Sequence, residues 1–228
     1  MEVIPVLDLK SGQVVHAQGG RRDAYRPIAT PLSASSAPAD VLAGLLRLHA
    51  FRRVYVADLD AIAGTGSHAA LLAALARTHP GTEIWLDAGA RDAQAVSAAL
   101  EDGLCPVLGS ESQTDTALLS RLRDDPRVVL SLDFHGAGFP GPAAILATPA
   151  LWPRRVVAMT LAAVGAAAGP DIARVGALLE RAAGRAVYAA GGVRNAADLR
   201  ALAARGAAGA LVASALHAGT LGAADLAG

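Results

Sequence analysis

Two aspartates at matching places in the chain could work together as an acid–base pair. Asp8 ends the apolar run that begins at Val3, and Asp133 ends the run that begins at Val128; a glycine follows soon after each. Two carboxylates that face one small substrate can divide into a general acid and a general base when their surroundings separate their pKa values. The alternative is that each aspartate only caps the loop after its strand. Their matching positions favour the catalytic interpretation, and the sequence leaves open which of the two is the acid.

Two turns of small residues near the C-terminus could bind a phosphate group. Gly191 and Gly192 form the first turn, just before a helical segment opened by Asn195, and Ala213 and Ser214 belong to the second. Glycine lets backbone N–H groups approach an anion, and a helix N-terminus favours negative charge. A Gly-Gly turn by itself can also serve tight packing alone, but the two turns together favour a phosphate site.

These residues need a framework of strands and helices to bring them together. Short apolar runs alternate with longer helical patterns, and the runs are continuously apolar, as expected of parallel strands covered on both faces. The predicted strands are Val3–Leu7, Arg53–Asp58, Glu83–Asp87, Pro106–Leu108, Val128–Asp133, Arg155–Thr160, Ala186–Ala190 and Ala210–Ala213. The predicted helices are Ala39–His49, Ser67–Thr78, Ala93–Asp102, Asp115–Arg123, Asp171–Ala183 and Ala196–Arg205.

An internal repeat decides between two folds of this kind. Val187–Gly206 repeats Ile84–Gly103 at a constant offset of 103 residues, and such self-similarity indicates repeated structural units. Eight βα units in 228 residues fit a single (β/α)8 TIM barrel over residues 1–228. An open, doubly wound sheet is the alternative. Duplicated half-barrels, about residues 1–125 and 126–228, favour the closed barrel.

The active site of a TIM barrel forms at the carboxyl ends of its strands. Asp8, Asp58, Asp133 and Thr160 all fall at such ends. Thr160 could bind a substrate hydroxyl, or it could only satisfy the local backbone. No pair of the six histidines has metal-ligand spacing, so we expect no metal and no other cofactor.

Charge and composition favour a small-molecule ligand. Twenty basic and twenty acidic residues cancel, which argues against a nucleic-acid partner and against a polybasic membrane patch. Cys105 is the single cysteine, which suits a reducing compartment, and the first residues lack the pattern of a signal peptide. We expect a cytoplasmic enzyme whose partner is a small phosphorylated metabolite, with alanine-rich helices that could support a homodimer.

Five segments and Thr160 together follow the pattern of a known family: Ile4–Val15, Asp58–Ala61, Leu132–Asp133, Gly191–Val193 and Ala215–Gly219. Nearly the whole chain resembles the histidine-biosynthesis barrels, which include ProFAR isomerase and the cyclase subunit of imidazole glycerol phosphate synthase. The isomerase is the closer match, because Lys10 begins a Lys-x-Gly-x-Val-Val pattern. The resemblance implies an Amadori rearrangement of an aminoaldose to an aminoketose, with Asp8 as base, Asp133 as acid and Thr160 assisting. It also implies substrate contacts at Lys10 and Asp58.

The chain departs from the family at one of the two phosphate sites that the resemblance implies. The site in the first half-barrel usually reads Gly-Gly-Gly-Ile-Arg, whereas this chain has Asp87-Ala88-Gly89-Ala90-Arg91. Asp87 places a carboxylate where an anion should bind, and like charges a few ångströms apart cost on the order of 1–4 kcal/mol near a surface. Arg91 and the turn formed by Gly109 and Ser110 could offset part of that cost. After Thr160 the family continues Asp-x-Asp-x-Asp-Gly, but Leu161–Gly165 is apolar here.

These departures predict a divergent paralogue of ProFAR isomerase. Gly19–Ile28 and Tyr55–Ile62 resemble an isomerase-like group associated with one-carbon cofactor metabolism of the tetrahydromethanopterin or methanofuran type. We expect an aldose–ketose isomerase that acts on a phosphorylated sugar-like or phosphoribosyl substrate and binds one phosphate. The alternatives are a genuine ProFAR isomerase of histidine biosynthesis and a non-catalytic barrel that binds a phosphometabolite.

Overall fold

A closed barrel of eight parallel strands forms the centre of the molecule, as predicted. The computed structural model describes residues 1–17, 24–166 and 168–226. The sheet closes because the first strand pairs in parallel with the last, with Glu2 opposite Gly209. The barrel strands are β1 (Glu2–Lys10), β4 (Arg53–Asp58), β5 (Glu83–Asp87), β6 (Cys105–Gly109), β7 (Val129–Phe134), β8 (Arg155–Thr160), β9 (Ala186–Ala190) and β10 (Gly209–Val212).

Strand β1 is longer than the predicted Val3–Leu7 because it continues past the barrel into a hairpin. Its last residues pair antiparallel with β2 (Gln13–His16), which in turn pairs with β3 (Arg26–Pro27). The hairpin turn contains Ser11 and Gly12, with φ values of 51° and 76°. The hairpin therefore extends from the strand that carries Asp8.

Helices connect the barrel strands and cover the sheet. All six predicted helices form. In the described ranges no helix is long and apolar enough to cross a membrane. The helices are α1 (Pro38–Leu48), α2 (Leu59–Ala63), α3 (Ala69–Thr78), α4 (Ala93–Glu101), α5 (Ala117–Leu122), α6 (Ala143–Ala147), α7 (Ile172–Arg181), α8 (Ala196–Arg205), α9 (Ser214–His217) and α10 (Ala223–Leu226).

The two copies of the sequence repeat form equivalent units of the barrel. Ile84–Gly103 contains β5 and α4, and Val187–Gly206 contains β9 and α8. In both units a polar side chain caps the helix: Asp92 accepts a hydrogen bond from the backbone of Ala95, and Asn195 accepts two from the first turn of α8. The sequence repeat is thus also a structural repeat.

Alternate residues of each strand face opposite sides of the sheet and form two apolar cores. Those that point into the barrel include Ile4, Tyr55, Trp85, Val107, Val129, Val157, Tyr188 and Leu211. Those that point outward, against the helices, include Leu7, Val54, Val56, Ile84, Leu108, Leu130, Val156, Ala158 and Val187. The position of a strand-end residue relative to these neighbours therefore decides whether it faces the inside of the barrel.

A network of ion pairs lies at the amino-terminal end of the barrel. Arg53 bonds both Glu2 and Glu83, at 2.6 and 2.7 Å, and Arg155 also bonds Glu83. The two guanidinium groups lie 5.8 and 5.5 Å from the centre of the fully buried Trp85 ring. These residues fill that end of the barrel, so the open space lies at the opposite, carboxyl end.

Candidate active site

A cavity of about 930 Å³ opens at the carboxyl ends of the barrel strands. The strand-to-helix turns of both half-barrels contribute to its wall. The polar side chains that line it include Asp8, Tyr55, Asp87, Glu111 and Asp133. A cavity of this size at this end of a TIM barrel is where catalysis occurs in enzymes of this fold.

Asp133 is buried on the inner face of β7, with 5% of its surface exposed. Ser131 donates a hydrogen bond to its Oδ1 at 2.6 Å, and Ser110 Oγ and the backbone N–H of Glu111 donate to its Oδ2 at 3.0 and 3.2 Å. Burial raises the pKa of Asp133 to about 7, and the negative charge of Asp87 adds to this rise, while the Ser131 hydrogen bond opposes it. Asp133 can therefore hold or release a proton near neutral pH.

Asp8 reaches the same cavity from the inner face of β1. It lies opposite Ala57 of β4 and opposite Val15 of the hairpin strand β2. Asp8 and Asp133 both line the cavity, as predicted from the end-of-strand pattern. Because β1 and β7 are separated by three strands on either side of the barrel, the two carboxylates approach a ligand from opposite walls.

Asp87 and Tyr55 form a second polar group in the wall of the cavity. The Tyr55 hydroxyl donates to Asp87 Oδ2 at 2.9 Å, and the backbone N–H of Gly89 donates to Asp87 Oδ1 at 3.1 Å. Burial raises the pKa of Tyr55 well above its usual 10, and the nearby carboxylates of Asp87 and Asp133 reinforce this. Tyr55 therefore remains protonated and acts as a hydrogen-bond donor.

The predicted phosphate turns of the second half-barrel line the cavity. Gly191 and Gly192 have φ values of 97° and 88°. A Cβ on Gly191 would lie 2.5 Å from the carbonyl oxygen of Thr160, and one on Gly192 would lie 2.2 Å from that of Gly169. Both positions therefore require glycine, because the turn packs closely against the backbone of two neighbouring segments. Ala213 and Ser214 line the same part of the cavity.

Thr160 and Asp58 lie at strand ends but face outward. Thr160 Oγ1 accepts a hydrogen bond from Arg174 of α7 at 3.2 Å, and Thr160 is not among the residues that line the cavity. Asp58 is 1% exposed and accepts hydrogen bonds from the backbone N–H groups of Ala61 and His68 and from the His68 ring. In this structure Asp58 thus holds the segment that leads into α3 by hydrogen bonds. A substrate contact by Thr160 or Asp58 stays a prediction.

His68 links Asp58 to the β1–β2 hairpin. Its Nδ1 lies 2.8 Å from Asp58 Oδ1, and its Nε2 accepts the backbone N–H of Gly12 at 2.9 Å. This assigns the proton to Nδ1, because Nε2 must carry a lone pair to accept. Asp60 holds the same turn by accepting the N–H of Ser11 at 2.7 Å.

The remaining predicted binding residues lie outside the wall of the cavity. Lys10 ends β1 opposite Gln13, beyond the barrel. Arg91 is exposed, on the turn before α4. Gly109 accepts a hydrogen bond from Gln113 Nε2, and Ser110 is fully buried against Asp133. Lys10, Arg91, Gly109 and Ser110 therefore stay predictions as direct substrate contacts.

Sequence reasoning missed two residues that shape the site. Ser131 holds Asp133, and its position two residues earlier on the same strand was a signal that it faces the same side. Tyr55 holds Asp87 from the neighbouring strand, a contact that only the barrel geometry creates. Gly19–Asp23, part of the segment that resembles the one-carbon group, lies outside the described residues. In the part of the chain that the structure describes, no cluster of three His, Cys, Asp or Glu side chains could hold a metal ion.

Comparisons with known proteins find relatives that cover nearly the whole chain. A family profile described as histidine biosynthesis protein matches residues 2–222. A relative from Myxococcus xanthus is 32% identical, with 100% of this chain and 98% of the relative covered, and one from Halorhodospira halophila is 32% identical over 97% and 94%. Both are named as isomerases of an imidazole carboxamide that carries two phosphoribosyl groups. An uncharacterized protein of Methanocaldococcus jannaschii is 26% identical, over 97% of this chain and 95% of its own length.

Proposed function

The chain belongs to the histidine biosynthesis protein family, and on that premise we propose that it is an aldose–ketose isomerase acting on a phosphorylated sugar-like or phosphoribosyl substrate. The observation that carries the proposal is the placement of Asp8 and Asp133 in one cavity beside the Gly191–Gly192 turn. We assign it to the cytoplasm, as a divergent paralogue of ProFAR isomerase. Its resemblance to a group associated with one-carbon cofactors supports the assignment as a divergent paralogue.

The surroundings of Asp133 support the acid role for this residue, and the family resemblance assigns the base role to Asp8. Asp133 has a pKa of about 7, so at neutral pH this carboxyl group is protonated in a large share of the protein molecules. We therefore assign Asp133 as the acid. It protonates the ring oxygen of the aminoaldose while the bond from that oxygen to C1 breaks, leaving a cationic C1–N double bond. Asp8 then removes the proton from C2, which gives the enolamine. Return of that proton from Asp8 to C1, with transfer of the C2 hydroxyl proton to Asp133, yields the aminoketose and restores both aspartates, so the isomerisation involves no net gain or loss of atoms.

The phosphate of the substrate binds at the turns of β9 and β10. Gly191 and Gly192 line the cavity wall without a side chain, and Ala213 and Ser214 add a second turn of small residues. Binding energy at this remote group orients the reacting carbons between the two aspartates. Thr160 would assist only if its hydroxyl gave up the hydrogen bond from Arg174 and bound the substrate instead.

Genuine ProFAR isomerase activity is a second candidate, and the 32% identity over whole chains to relatives named for that reaction favours it. Complementation of a histidine auxotroph that lacks the isomerase separates the two. Growth would establish the histidine enzyme and refute the divergent paralogue. We expect no growth.

Turnover by the purified protein tests the mechanism directly. N-substituted ribosylamine 5-phosphates are offered as aminoaldoses, and ketose formation is followed by chromatography. Asp8→Asn and Asp133→Asn should each lower turnover at least a thousandfold, on the order expected for loss of a general acid or base. Asp102→Asn, at an exposed position just after α4, is the matched control and should retain full activity. Full activity in either active-site variant would refute the mechanism, and a wild type that binds these compounds without converting them would establish the non-catalytic barrel.

A further inference from the structure

The two half-barrels present equivalent turns to the cavity, but the turns differ in what occupies their hydrogen-bond donors. At the repeat offset, Gly192 corresponds to Gly89, and both residues have positive φ. Gly89 follows β5 in the first half, and Gly192 follows β9 in the second. A direct comparison of the two turns therefore shows which of them can receive an anion.

The turn of the first half is already occupied by a carboxylate of the protein. Asp87 Oδ1 accepts the N–H of Gly89 at 3.1 Å, and Tyr55 holds the other oxygen. At the neighbouring turn, the Ser110 hydroxyl and the Glu111 N–H both donate to Asp133. These three donors, which a phosphate on this side could otherwise use, are thus bonded to carboxylates of the protein.

The turn of the second half is open to the cavity. Gly191 and Gly192 lie in the cavity wall, as do Ala213 and Ser214. Around the two first-half turns, the residues that reach the cavity wall are Asp87 and Glu111, and both carry carboxylates. A phosphate therefore meets small residues and backbone at one end of the cavity and negative charge at the other, where like charges repel it.

We infer that the substrate carries a single phosphate, bound at the second-half turns, and that Asp87 is the residue that excludes a second one. This inference rests on the phosphate site of the proposed function and specifies its substrate class: a monophosphate whose other end is unphosphorylated and donates hydrogen bonds. Asp87 acts as a built-in anion that fills the place of the missing phosphate at Gly89. The chain thus differs from the relatives named for a substrate with two phosphoribosyl groups.

Calorimetric titration with two sugar phosphates tests the inference. Ribose 5-phosphate is the monophosphate probe and ribulose 1,5-bisphosphate is the bisphosphate probe. The wild type should bind the bisphosphate no more tightly than the monophosphate. Asp87→Asn and Asp87→Ser should each tighten bisphosphate binding about tenfold, because a negative charge near the second phosphate is removed, and should change monophosphate binding less than about threefold. Thermal melting confirms that each variant is folded.

Two glycine variants show whether the probes use the proposed turn. Gly192→Ala places a Cβ against Gly169 and should abolish binding of both probes, whereas Gly206→Ala has similar φ but open space around it and should not. Bisphosphate binding tenfold tighter than monophosphate binding in the wild type would overturn the inference and leave the proposed function standing. If both Asp87 variants kept the wild-type ratio of bisphosphate to monophosphate affinity, the inference would also be overturned and the proposed function would stand. A wild type that binds neither probe would instead refute the phosphate site of the proposed function.

Discussion

The Ser131 hydroxyl donates a 2.6 Å hydrogen bond to Oδ1 of Asp133, two residues farther along the same strand. Both side chains are buried. Ser110 holds the other oxygen and also accepts the backbone N–H of Asp133 at 2.9 Å. Both oxygens of the carboxyl group are therefore held by the protein, which orients the group before a substrate binds.

The first prediction concerns stability against pH. The pKa of Asp133 is about 7 in the folded protein, against an ordinary 3.8, so between about pH 4 and pH 7 the folded state binds more protons than the unfolded state. The free energy of unfolding should therefore fall as pH rises through this window. Asp133→Asn stays neutral, so relative to wild type it should gain on the order of 1–4 kcal/mol between pH 5 and pH 8.

Urea unfolding of both proteins at pH 5 and pH 8 measures this gain. Asp102→Asn, at an exposed position, serves as the control and should follow the wild type at both pH values. If Asp133→Asn and wild type lost stability in parallel from pH 5 to pH 8, Asp133 would not have the raised pKa.

The second prediction concerns the Ser131 hydroxyl. Its hydrogen bond favours the charged form of Asp133 and so lowers the pKa of that carboxyl. Ser131→Ala should raise the pKa of Asp133 by about one unit, the size expected for a hydrogen bond to a charged group. A titration of carboxyl carbon shifts by NMR, with labelled aspartate, measures the value without requiring a substrate. Ser120→Ala, at an exposed position on α5, should leave the titration midpoint unchanged, and an unchanged midpoint in Ser131→Ala would disprove this role.

The third prediction concerns the link between His68 and the hairpin. His68→Ala removes a partner of the buried Asp58 and the acceptor of the Gly12 N–H. It should lower the free energy of unfolding by about 2–3 kcal/mol and speed hydrogen exchange of the Gly12 amide. His79→Ala is the control, because His79 directly follows α3 and only backbone hydrogen bonds are described for it. Protection of Gly12 equal to that of the wild type would show that His68 does not hold the turn.

The barrel was predictable from the sequence because its strands are continuous apolar runs between helical patterns. The place of a residue at a strand end was also predictable, but a position at a strand end does not by itself tell which side of the sheet the side chain faces. Asp133 follows the inward-facing Val129 by four residues, whereas Thr160 follows the outward-facing Ala158 by two. The same rule of strand ends therefore selected residues on both faces of the sheet. The hydrogen bond between Tyr55 and Asp87 depends on the register of β4 against β5, which the pattern of apolar runs does not specify.

The pairing of β1 with β10 joins the first strand of the chain to the last. While the chain is being synthesised, one edge of β1 stays without its final neighbour until β10 has emerged. Contacts between segments so far apart in sequence form late and slow the folding of the whole domain, and an unpaired strand edge invites association with other chains. Asp8 lies on β1 and the Gly191–Gly192 turn follows β9, so the cavity that they line is complete only after the nascent protein has closed on itself.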